Sequence, residues 1–280
     1  MKRILLPTDF SENSWNAIVY ALQLFKDDDC TFYLLNTYTP IIYHVEYVLI
    51  NPGQFGLGDA IRQTSLDNLE EFKSKILSDF PNSRHKIESK ASFNTLISEI
   101  EDMVEEKGID FIVMGTKGAT GAKEVLFGTN TVQVIKHAKC PTIAIPEDFR
   151  FESPHEILFP TDLEINFKER HINPLKSIAQ AFVARINILH VSHGYELSEA
   201  QLSNKQKLET YIKGIANLYH DVRSESVTKA IDDFQIKAKI NLLVMINNKH
   251  SFFENMFFKS TLNEIGFHLK IPFLVIPSKV

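Results

Sequence analysis

Two cysteines, eleven glycines and eleven prolines are few for 280 residues, and each shortage removes a class of protein. Cys30 and Cys140 form no C-x-x-C and no metal-ligand spacing, so they read as reduced structural thiols, not as a disulfide framework. Glycine and proline are too sparse for a collagenous or low-complexity chain. No apolar run reaches the ~18–20 residues of a membrane span, and the start MKRILLPTDF turns polar too soon for a signal peptide. The expected location is the cytoplasm, with no membrane partner. Positive charge is also short: 30 Lys and Arg against 35 Asp and Glu give a net charge of −5. No global positive field is available for nucleic acid, which is not an expected partner.

Apolar residue is plentiful, at 44% of the chain, and the length suits two domains at roughly 100–200 residues each. The sequence repeats itself. Ile4-Leu5-Leu6-Pro7-Thr8-Asp9 returns 153 residues later as Ile157-Leu158-Phe159-Pro160-Thr161-Asp162. Phe111–Met114 returns as Leu242–Met245 and Cys140–Pro146 as Ile271–Pro277, now 131 residues later. The first copy therefore carries 22 extra residues between its early and late strands, and Tyr38–Asp59, with its glycines, proline and aromatics, is the expected loop. The expected domains are 1–148 and 154–280, joined by the charged, proline-containing stretch between them.

Within the first copy short apolar runs alternate with helical patterns. Strands are expected at Arg3–Leu6, Thr31–Thr37, Lys86–Ser92, Asp110–Met114 and Thr142–Ile145, and helices near Ser14–Lys26, Ala60–Phe80, Thr95–Lys107 and Thr129–His137. The second copy predicts strands near Ile157–Phe159, Ile186–Val191, Val222–Ser226, Asn241–Ile246 and Phe273–Ile276. Strands as continuously apolar as Phe111–Met114 need cover on both faces. The expected fold class is α/β, two tandem sandwiches with a five-stranded parallel sheet each and helices on both faces.

In such a sheet ligands collect at the carboxyl ends of strands where the strand order reverses. Two motifs fall there. The first strand runs into Pro7-Thr8-Asp9. The fourth runs into Gly115-Thr116-Lys117-Gly118, followed by Gly128-Thr129-Asn130-Thr131 opening a helix, a G-x2-G-x9-G-[ST] spacing. Bare backbone lets a phosphate approach, and the first amides of a helix are donors favoured by its dipole. The competing reading is that the glycines make turns and that Thr129 is a plain N-cap. Asp9 is likewise either the N-cap of the first helix or an acceptor for the exocyclic amine of adenine. Lys117 and Lys123 either neutralise phosphate or are solvated surface lysines. No Lys-[ST] follows the glycines as in a Walker A loop.

These segments, ILLPTDFSE, VMGTKG, GTNT and KHAKCPTIAIP, resemble the universal stress protein family over essentially the whole chain in two copies. The resemblance implies strand order 3-2-1-4-5 in each half and pairing of the halves through their last strands, Thr142–Pro146 and Phe273–Pro277, as an intramolecular pseudo-dimer. It also implies ATP as the ligand, with Mg²⁺ in some members. Pro7, Thr8 and Asp9 would border the adenine, with Thr37 giving backbone contacts to the base. Met114 and Gly115 would flank the ribose, and Gly118, Gly128, Thr129, Asn130 and Thr131 would line the phosphates. The implied role is stress-response regulation through an unidentified protein partner, not vigorous catalysis, with weak ATP hydrolysis and a further homodimer left open. The alternative is a stress scaffold that binds no nucleotide.

The second copy has Ile246, Lys249 and Lys259 where the first has Gly115, Gly118 and Gly128, and it reads as a degenerate, non-binding domain. An anion site built on Lys249, Lys259 and Ser260 is the minor alternative. Phe252, Phe253, Phe257 and Phe258 read as a plug of the lost site or as a partner surface. His190 and His193, three apart, lack further ligands at a recognisable spacing, and no metal site is assigned to them.

Overall fold

The computed structural model describes residues 1–38, 55–117, 127–192, 194, 196–224, 226–248 and 270–278, without the side chains of 55–58. Gly118, Lys123, His193, Lys249, Lys259, Ser260, Phe252, Phe253, Phe257 and Phe258 lie outside the described residues, as do 39–54 of the expected loop.

The front half runs β1 (Lys2–Pro7), α1 (Glu12–Leu24), β2 (Cys30–Thr37), α2 (Phe55–Asp79), β3 (His85–Ser92), α3 (Leu96–Lys107), β4 (Phe111–Gly115), α4 (Thr129–His137) and β5 (Thr142–Ile145). The rear half runs β6 (Glu156–Pro160), α5 (Glu169–Ala181), β7 (Arg185–Ser192), α6 (Glu199–Tyr211), β8 (Asn217–Arg223), α7 (Val227–Ala238), β9 (Leu242–Asn247) and β10 (Phe273–Pro277). All ten strands form one sheet in the order β3-β2-β1-β4-β5-β10-β9-β6-β7-β8. Strands within each half are parallel. The halves meet at an antiparallel seam, where Phe273, Leu274 and Val275 pair with Ala144, Ile143 and Thr142.

Side chains alternate across a strand with period two, and both faces here are apolar. On one face Ile4, Leu6, Phe111 and Val113 join Ile157, Phe159, Leu242 and Val244 in a single core that crosses the seam. On the other face the intervening residues form two cores. Leu5, Ile112 and Met114 belong to the front one, and Leu158, Leu243 and Met245 to the rear one. Front residues reach into the rear core, since Phe127 packs 6.1 Å from Phe273, centroid to centroid.

The connection between the halves is docked. Arg150 donates to Asn16 Oδ1 (2.9 Å), Asn16 Nδ2 donates to the carbonyls of Phe149 (2.9 Å) and Pro146 (3.2 Å), and the rings of Phe149 and Phe151 lie 6.2 and 5.3 Å from that of Tyr20. Both cysteines are buried, and burial pushes each thiol up to about 12.

Two expectations are corrected. The third rear strand is Asn217–Arg223, not Val222–Ser226. It lies at the sheet edge with its side chains largely half-buried or exposed, so its polar sequence lacks the apolar run that marks central strands. Ser226 instead caps α7, its hydroxyl accepting from the Lys229 amide. Helix α2 starts at Phe55, so the expected loop ends before Asp59.

Candidate functional site

At the carboxyl end of β1 the chain turns sharply in order to enter α1. The Thr8 hydroxyl accepts from the Phe10 amide (3.0 Å), and Asp9 Oδ1 accepts from the Ser11 amide (3.1 Å) and hydroxyl (2.6 Å). Phe10 is held at φ 63°, a left-handed conformation uncommon for a side chain of this size. The N-cap of α1 is Ser11, which accepts from the Ser14 amide. Asp9 is therefore not the cap: it braces the residue that is. Its carboxylate is exposed at the turn.

Beside this turn lies a cavity of about 130 Å³. Three strands or their ends supply it, with Pro7, Thr8 and Asp9 from β1, Thr37 from β2, and Met114 and Gly115 from β4. Asn130 and Thr131 close it from the start of α4. Of the residues that the sequence suggested, these eight are brought together. Gly128 and Thr129 stand next to them at the head of the helix. Three lining residues had not been considered for the site, Ser14, Asn36 and Leu96, and a fourth, Lys117, had been weighed both as a phosphate partner and as a surface lysine. Asn36 had a signal, an amide interrupting the apolar strand CTFYLLNT. Its Nδ2 donates to the Thr8 carbonyl (2.8 Å) and its Oδ1 accepts from Ser65 (2.7 Å), which ties β1 and α2 together. Ser14 lies 2.9 Å from the Thr8 hydroxyl.

Helix α4 opens at Gly128, the N-cap, with no side-chain cap bond. Thr129 is thus the first helical residue and not a cap, because the extended cap position (φ −64°, ψ 156°) falls on the glycine. The Gly128 amide donates to the Thr116 carbonyl (2.7 Å), and the Val132 amide begins the helical ladder on the Gly128 carbonyl (3.1 Å). Between them the amides of Thr129, Asn130 and Thr131 are the donors that a helix leaves over at its start. The Thr131 hydroxyl is committed elsewhere, donating to the carbonyls of Gly115 (2.9 Å) and Thr116 (3.2 Å).

Gly115 has a steric role that its motif did not reveal. A Cβ there would meet Asn13 Nδ2 at 2.6 Å, far inside contact distance. Asn13 is buried and donates to the Lys117 carbonyl (2.6 Å), holding the strand end. The missing side chain at 115 makes room for protein, and access of a ligand to the backbone is a separate matter for the residues beyond.

With this geometry established, the comparisons with known proteins are decisive. The universal stress protein family model matches residues 1–146. The chain belongs to the universal stress protein family. A universal stress protein of Methanocaldococcus jannaschii is 30% identical over 160 residues, covering 51% of this chain and 94% of that protein. A second from the same organism is 28% identical over 144 residues, covering 51% and 81%. The crystal structure of a universal stress protein from Archaeoglobus fulgidus shares the fold over 99% of this chain and 98% of its own, with a TM-score of 0.64 at 18% identity. The universal stress protein fold thus extends through both halves, although the family model itself covers the front. No helix among the described residues is long and apolar enough to cross a membrane.

Proposed function

We propose that the front half, residues 1–148, binds ATP and that this universal stress protein acts as a nucleotide-dependent regulator, while residues 154–280 form a second unit without a polyphosphate site. The observation that carries this reading is the joining of an apolar slot, bounded by Pro7, Thr37 and Met114, to the head of α4, whose N-cap Gly128 has no side chain, with Lys117 on its wall. The slot suits a base and sugar. The amides of 129–131 and the lysine suit an anion. Magnesium would be brought by the nucleotide and not by a protein cage, as suits a hard ion that keeps its waters. No residue is assigned a catalytic role, so any hydrolysis would be slow.

The rival reading is a scaffold that works through protein contacts alone. It draws on the two bonds that the turn makes to itself, Gly128 amide to Thr116 and Thr131 hydroxyl to Gly115. Titration calorimetry with Mg-ATP on the wild type and on Thr129→Asp separates them. An aspartate in the first turn favours the helix dipole, so the variant folds, but it repels phosphate. ATP affinity is expected to fall at least about tenfold while adenosine affinity holds. Equal ATP affinity in both proteins would remove the head of α4 from the phosphate site, and no ATP binding by the wild type would leave the scaffold.

A further inference from the structure

Helix α4, whose first residues close the front cavity, is nine residues long, too short to hold its shape in water without support. Much of that support comes from the other half. Phe127 precedes the N-cap Gly128, and Val132 is the fourth residue of the helix. Apolar residues at these two positions fix the angle at which a chain enters a helix. Both pack in the rear core, with Leu243, Met245 and Phe273, and Ile135 is buried there one turn further on. The staple that aims the amides of 129–131 is therefore lodged in the rear half. The front half contributes the packing of Val134 and the bonds of the Thr131 hydroxyl to the Gly115 and Thr116 carbonyls.

The tail of the helix is held from the same side. The last carbonyls of a helix have no partner within it. That of Val134 is taken by the Ala138 amide (2.8 Å), but that of Ile135 falls beyond the ladder and accepts from Asn247 Nδ2 (3.1 Å). Asn247 ends β9, and its own carbonyl accepts from the Ser278 amide (3.2 Å) just past β10, so the donor is fixed on two rear strands. The antiparallel seam makes this contact possible. Val275, near the end of β10, pairs with Thr142 at the start of β5, which brings the carboxyl ends of the rear strands to the edge where α4 finishes. The rear cavity, about 220 Å³ and lined by Pro160, His190 and Val227 among others, lies at those same strand ends.

We infer that the rear half is a part of the front site: Asn247 and the rear core position α4, and thereby set how well the front half grips a polyphosphate. The inference rests on the front-half reading for its ligand, and on the contacts of α4 alone for the helix. Asn247 is a positioning residue, acting through the helix it caps. An anion held by several amides needs them aligned. Releasing the tail lets the helix shift on its staple, and the amides of 129–131 lose their common aim. The slot bounded by Pro7, Thr37 and Met114 stands on β1, β2 and β4, so the base and sugar keep their walls. Loss of Asn247 should therefore separate ATP from adenosine.

The test uses the full chain with Asn247→Asp and Asn247→Gln. The aspartate keeps the shape, donates no hydrogen bond and sets negative charge at the negative end of α4, whereas the glutamine keeps a donor. Hydrogen exchange of the ligand-free protein is followed over residues 129–138, and calorimetry is run with Mg-ATP and with adenosine. Asn247→Asp should speed exchange in α4 about fivefold or more while β1 and β4 keep wild-type rates. It should weaken ATP about threefold or more and leave adenosine unchanged. Asn247→Gln should recover part of both effects. Val132→Thr, which keeps the shape of the staple and weakens its apolar grip, should show the same pattern, and it carries the test if Asn247→Asp unfolds in a thermal melt. Wild-type exchange in α4, fast exchange with unchanged ATP affinity, or an equal loss of both ligands would overturn the inference. A wild type that binds no ATP removes the front-half reading and the ligand part of this one, and exchange in α4 still decides whether the rear half holds the helix.

Discussion

The two halves share the β1/β6 turn almost bond for bond, yet the described linings of their cavities differ. Thr8 and Thr161 brace the residue two ahead at 3.0 Å, and Phe10 and Leu163 are held at φ 63° and 59°. The front lining holds Lys117 and the head of a helix, while the described rear lining holds Glu196 and a buried histidine. Duplication has kept the turn that shapes a slot and changed the described residues around it. The lesson is that losing a phosphate motif does not remove a cavity, because different residues build the two.

The comparison can be broken most forcefully at the strand end where the halves diverge. Gly115→Ile, which installs the rear residue in the front, drives a side chain into Asn13 and breaks its bond to Lys117. A loss of about 3–5 kcal/mol is expected from overpacking plus a stranded buried amide, measured by urea unfolding. A loss below about 1 kcal/mol would mean that the Asn13 contact yields freely. The converse change, Ile246→Ala, removes buried apolar volume and is expected to cost about 2–4 kcal/mol.

A sharper probe of what is shared is Thr8→Val beside Thr161→Val. Each strands a backbone amide, and each should cost about 1–3 kcal/mol; a clear inequality between them would show that the duplicated turns are not energetically equivalent.

A smaller effect concerns acid. Glu99 is buried, and although burial alone would raise its carboxyl, bonds from Lys90 (2.5 Å), Ser92 (2.6 Å) and Asn94 (3.2 Å) hold it below the ordinary glutamate value. A folded value below the unfolded one means stability present above the ordinary range and lost as pH falls through the depressed value. The advantage of wild type over Glu99→Gln should therefore shrink by about 1 kcal/mol between pH 7 and pH 3, a modest figure because Lys90 is partly in water. Glu156 in the rear, bonded to Arg185 and Asn187, has the same sign.

Smallest in energy is thiol labelling. Cys30 and Cys140 both lie in the front half, and thiols raised to about 12 hold almost no thiolate at pH 7. Native labelling should be slow, and it should accelerate in Gly115→Ile but not in Ile246→Ala if the halves open separately.

Most of the fold could be read in the sequence because central parallel strands are apolar on both faces, and Phe111–Met114 and Leu242–Met245 announce themselves. The edge strand Asn217–Arg223 did not, since half its side chains need no cover. At the site, Pro7-Thr8-Asp9 and the glycine spacing marked the correct corner. The reason for Gly115 was hidden because its neighbour Asn13 is close in space only after β4 has crossed beside β1. The rear cavity was hidden for a different reason. Pro160, His190 and Val227, which line the space, come from three separate elements and share no motif in the sequence.

The antiparallel seam between β5 and β10 has a further consequence. Strands on its two sides point in opposing directions, so the corners at their carboxyl ends open at opposite edges of the shared sheet. No single small molecule can bridge them, and a protein gripping one end of the strands meets only one of the two corners. The two corners thus face away from each other on one continuous sheet.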